Sequence, residues 1–117
     1  MKITAIQTNV IEPPLGLSPK PERSRSHVSS SREEAFSALS SWVFSYAQHK
    51  KMLAEDGKAA RREADDAYAL ADNLYRVSEG EEIEVSPTRI EETEDRTVIT
   101  FYLLFAPFEW HLEIADV

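Results

Sequence analysis

Cysteine is absent from the chain, which excludes disulfide scaffolds, zinc ribbons and thiolate nucleophiles. Glycine is scarce. The three residues at 16, 57 and 80 are too few and too scattered to cradle a phosphate, and no serine occupies a Gly-x-Ser-x-Gly elbow. The longest apolar run, 98 to 108, is broken by Thr100 and Pro107 and falls short of the roughly 20 residues of a membrane span. The opening Met1-Lys2-Ile3-Thr4 lacks the charged, hydrophobic and small-residue regions of a secretory signal, so a cytoplasmic location is expected. Basic charge also thins out along the chain. Residues 1 to 62 carry ten Lys/Arg and six Asp/Glu, whereas residues 63 to 117 carry three Arg and fifteen Asp/Glu.

What remains is an acidic chain of 117 residues with net charge −8, the size of a single domain spanning 1 to 117. The β-branched segment 2 to 11 reads as a strand that ends at Pro13-Pro14. Residues 13 to 30 hold prolines, serines and alternating arginines with few large apolar side chains, and they read as a mobile loop, of which residues 13 to 29 should be dispensable for folding. Ser30 and Ser31 precede Glu33 and Glu34 in the pattern of a capping box. The helix that starts there carries Phe36, Leu39, Val43, Tyr46 or Ala47, and Leu53 on one face, widened by Trp42 and Phe44. Ala60, Ala64, Ala67, Ala71 and Leu74 mark a second helix, flanked by Tyr68 and Tyr75 and closed by Gly80. Two helices broken near Gly57 form an αα-hairpin; one long helix through Gly57 is the competing reading.

Beyond Gly80 the apolar period falls to two. Ile83, Val85 and Ile90 suggest a half-exposed, broken strand; Glu94-Asp95 a turn; Thr97 to Ala106 a strand covered on both faces. Phe108, Trp110, Leu112 and Ile114 then alternate with Glu109, His111 and Glu113 in a last strand that should turn its apolar residues to the helices. The expected fold is α+β: an antiparallel sheet of three to four strands on an αα-hairpin, ordered strand, helix, helix, strand, strand, strand.

Two patterns bear on function. Glu109, His111 and Glu113 share one side of a strand and present one nitrogen and two carboxylates, the minimum for a metal- or His-dependent enzyme, although a solvated strand face produces the same row. Asp65, Asp72 and Glu79 recur every seven residues, so they form a rail along one side of the second helix, drifting only roughly 20° per step. Arg61, Arg62 and Arg76 stand four residues from Asp65, Asp66 and Asp72 and are placed to neutralise part of it. With Glu81, Glu82, Glu84, Glu91, Glu92, Glu94 and Asp95, the rail gives ten acids as candidate partner-binding residues on two neighbouring surfaces.

In size and charge over residues 63 to 95, the chain resembles the small acidic inhibitors of nucleases, CRISPR effectors and restriction enzymes. That resemblance implies a non-enzymatic protein that presents carboxylates where DNA presents phosphates and competes for a basic groove. The partner implied is a basic protein, with no cofactor, no metal, no membrane and no direct contact with nucleic acid; Lys20, Arg23, Arg25 and Arg32 lack the interleaved aromatics of a single-strand binder. An immunity or antitoxin-like protein that neutralises a basic toxin shares the same charge logic. A homodimer is a further reading, because Trp42, Phe44, Phe101, Tyr102, Phe105 and Trp110 are many aromatics for one small core.

Overall fold

The computed structural model describes residues 2–9, 22–53, 58–85, 88–104 and 106–115. Five strands and two helices follow in the order β1 (Lys2–Asn9), β2 (Glu22–Ser29), α1 (Arg32–Leu53), α2 (Lys58–Ser78), β3 (Thr88–Glu92), β4 (Arg96–Tyr102) and β5 (Phe108–Ala115). The sheet is antiparallel throughout, ordered β2-β1-β5-β4-β3. The α+β class and the αα-hairpin therefore hold, with one strand more than the three to four expected.

The additional strand is β2, which occupies much of the segment read as a loop. Its partner is β1, in a register running from Ile3 opposite Ser29 to Asn9 opposite Glu22, with a bulge between Gln7 and Thr8. No alternation of apolar and polar residues announces it, because an edge strand has little to bury and is kept from pairing further by charged and short polar side chains. Residues 13 to 21 of that segment, like 10 to 12 before it, lie outside the described residues.

β1 and β5 pair along their full lengths, Lys2 opposite Ala115 and Asn9 opposite Phe108, so the two ends of the chain meet in the centre of the sheet. Register turns Ile3, Ala5 and Gln7 to the same side as Trp110, Leu112 and Phe101, and all six are buried. The last strand thus faces the helices as its alternation predicts. Trp110 is fully buried and its indole N–H donates to Gln7 Oε1 at 2.9 Å. Tyr46 of α1 meets both Phe108 and Trp110, with ring centroids 5.6 and 5.8 Å apart.

β4 differs from the strand expected at 97 to 106. It ends at Tyr102, and Ala106 N–H closes a turn onto the Leu103 carbonyl at 3.0 Å. On the face turned from the helices Thr100 is buried and Val98 and Tyr102 are half-buried, so both faces of the strand are largely covered, as expected. Residues 81 to 85 form no strand, although Val85 is buried in the core; β3 is described from Thr88, and residues 86 and 87 lie outside the described residues.

The helix ends follow local chemistry. Ser31 Oγ accepts from the Glu34 N–H at 3.2 Å, as an N-cap should. Glu34 does not reach back as the expected box requires: its carboxylate meets His27 Nε2 at 3.0 Å, and Ser29 Oγ accepts from the Ser31 N–H instead. At the end of α2, Gly80 takes φ of 94° while Gly80 N–H bonds the Val77 carbonyl and Glu81 N–H bonds that of Arg76, a termination that favours glycine. The helices are antiparallel. Ser40 Oγ donates to the Ala71 carbonyl at 2.7 Å, and Lys50 pairs with Glu63 at 2.8 Å.

Candidate interaction surface

α1 carries apolar side chains on more than one side. Phe36, Leu39, Val43 and Ala47 are buried, while Phe44, expected to widen that face, turns outward and stays 45% exposed. Tyr68 of α2 meets Phe44 edge to face at 5.4 Å, and one turn pair further on Tyr75 is 52% exposed. These rings, with Ser37, Ser40, Ser41, Ala71 and Asp72, line a groove of about 590 Å³ along the helical hairpin. Trp42 and Tyr46 leave α1 toward the core, on the opposite side of its axis from Ser37 and Phe44 at 100° per residue. The groove therefore opens away from the sheet. Sequence reasoning assigned Tyr68 and Tyr75 only a flanking place; two tyrosines seven residues apart beside an acid are the signal that was there to be read.

Of the acidic rail, the middle member reaches this groove. Asp65, Asp72 and Glu79 are all exposed, and Asp72 is part of the groove wall. Asp65 shares a neighbouring depression with Lys51, Arg61 and Ala64, so the rail is least acidic at that end. Arg76 forms no close ion pair with Asp72, which it attracts only as a weaker influence than Glu81. Its guanidinium turns to Glu81, Nε to Oε2 at 2.6 Å and Nη2 to Oε1 at 3.4 Å, and that hydrogen bond holds the guanidinium above its ordinary pKa. Among the described ion pairs, neither Arg61–Asp65 nor Arg62–Asp66 occurs.

The other seven acids lie elsewhere. Glu81 and Glu82 sit in a depression shared with Arg32 and Glu33, where the end of α2 meets the start of α1; Glu84 follows, exposed. Glu91, Glu92, Glu94 and Asp95 belong to the exposed β3–β4 hairpin. Asp95 Oδ1 accepts from Thr93 Oγ1 at 2.9 Å and so shapes the turn, and Glu91 is 3.7 Å from Arg89. By register Glu91 shares the sheet face turned away from the helices. The rail and the hairpin acids are thus separate surfaces.

The row Glu109, His111 and Glu113 lies on that same open face. Arg89 reaches Glu109 at 3.3 Å and Arg96 reaches Glu113 at 3.6 Å, while Thr8 and Thr100 hydroxyls bond the two ring nitrogens of His111, each at 2.8 Å. Each carboxylate is engaged by an arginine and the imidazole is held between two strands. Among the described residues no three His, Cys, Asp or Glu side chains gather as they must to hold a metal ion, and no helix is long and apolar enough to cross a membrane. Of the six aromatics read as a dimer face, Phe101 and Trp110 are buried in the core and Trp42 packs against it, Tyr102 is half-buried on the open sheet face, Phe44 lines the groove, and Phe105 lies outside the described residues. Comparison with protein-family models, with curated proteins and with solved structures finds no match to this chain.

Proposed function

We propose that this protein is a non-enzymatic binding protein that occupies a basic site on another protein, in the manner of a small acidic inhibitor of a nucleic-acid-binding or defence-type enzyme. The observation that supports this reading is the rail: Asp72 on α2 and Glu79 just beyond its end stay exposed, and the guanidinium spaced to pair with Asp72 makes its close ion pair with Glu81. Exposed carboxylates such as Asp72 and Glu79, on a chain of net charge −8, project a negative field, which speeds encounter with a basic partner and selects against acidic ones.

The test is capture from a lysate by the parent and by the variant carrying D65N, D72N and E79Q, over a salt titration. The expected result is a basic nucleic-acid-binding protein retained by the parent, lost from the variant, and unable to bind its nucleic acid once this protein is added. Retention by parent and variant alike at every salt concentration overturns the reading. A captured toxin that loses its toxicity on binding would make the protein an immunity factor by the same chemistry.

A further inference from the structure

Resting on that reading, we infer that the groove between α1 and α2 is the docking slot for a basic amphipathic helix of the partner. The groove has an apolar floor of Phe44, Tyr68 and Tyr75, hydroxyl groups along its α1 side and Asp72 on its α2 side. Two packed helices are about 8–10 Å apart, and the furrow between them is matched to the width of a third helix, about 10 Å across. Apolar residues at i, i+3 or i+4, and i+7 of that helix would lie on the three rings. From Asp65 to Glu79 the rail covers about 21 Å at the rise of an α-helix, the length of a partner helix of about 14 residues, whose cations would fall beside Asp72 and Glu79. Charge favours this occupant over a second copy of the chain, since each copy carries net charge −8 and its groove brings another Asp72 to the contact, with Lys51 over Tyr68 the cation at one end only. It also selects against an anionic lipid surface.

The probe is a synthetic amphipathic Leu/Lys helix of about 14 residues, compared with a scrambled peptide of the same composition whose leucines are spread around the helix. Binding is measured by titration calorimetry to the parent, to F44S/Y75S and to D65N/D72N/E79Q, with circular dichroism confirming that each variant is folded. The amphipathic peptide is expected to bind the parent at least about tenfold more tightly than the scrambled one, a difference of about 1.4 kcal/mol. F44S/Y75S should erase that preference, and the rail variant should weaken both peptides and flatten their salt dependence. Equal binding of the two peptides, with salt dependence retained, overturns the groove and leaves the basic-partner reading standing. Binding of the amphipathic peptide that ignores salt and the rail overturns the basic partner instead, and binding of neither peptide overturns both. Sedimentation of the chain alone tests the twin: a dimer that F44S/Y75S converts to monomer would make a second copy the occupant and overturn the proposal.

Discussion

Trp110 joins three parts of the molecule, because its ring packs on Tyr46 and Phe108 while its N–H bonds Gln7 across the β1–β5 seam. Trp110→Ala removes that contact area and opens a cavity where the two ends of the chain meet, so a loss of about 3–5 kcal/mol is expected, read from denaturant unfolding. Ser31 acts through the start of α1. Its hydroxyl caps Glu34 N–H and donates to Glu33 Oε2 at 3.1 Å; the Glu33 carboxyl is held below its ordinary value of 4.5 by its own backbone amide first and by Ser31 second. A lowered carboxylate pKa contributes stability that is present above the ordinary value and is lost as pH falls through the lowered one. Ser31→Ala should therefore cost about 1 kcal/mol for the lost cap and move the Glu33 titration, followed by NMR, upward toward 4.5 without reaching it.

At the scale of elements, β2 is the part whose existence depends most on its neighbour. Arg25, Ser26 and Val28 are exposed, and what holds the segment is the backbone ladder to β1 together with the His27–Glu34 contact to α1. β1 gains as much as it gives. With β2 in place it is an interior strand with Ile3 through Gln7 buried; without β2 its outer N–H and C=O groups face solvent and its apolar side chains lose cover. Removing residues 22 to 29 should accordingly lower the midpoint of thermal unfolding by roughly 10 °C or more, contrary to the tolerance that composition alone suggests. An unchanged midpoint would mean that the ladder contributes nothing. The helical hairpin is different in kind, since its stripe, its N-cap and its closing glycine are all local patterns. Only the place of Phe44 came from packing: Val43 and Ala47 are in the core, and Phe44 lies beside Tyr68 of α2.

Across the whole molecule, charge and core are separable. Asp65, Asp72 and Glu79 are exposed and form none of the close ion pairs among the described residues, and like charges along one helix repel. Their replacement by Asn, Asn and Gln should leave folding stability within about 0.5 kcal/mol of the parent or slightly above it, as chemical denaturation would show, while altering binding. The spacing that put three acids on one side of α2 was legible from residue numbers, because a helix converts sequence period into position without reference to anything else. The same is true of the α+β class, the two helices and the inward face of β5, each set by local periodicity and capping chemistry. Strand order, the recruitment of β2, the early end of β4 and the close pairing of Arg76 with Glu81 were decided by tertiary structure. They depend on which backbone edges and side chains are brought together from distant or turned segments. So does the groove, which exists only once α1 and α2 lie side by side and bring Phe44, Tyr68 and Tyr75 to one surface beside Asp72; a single helix carries the residues, but only the packed pair creates the concave space between them.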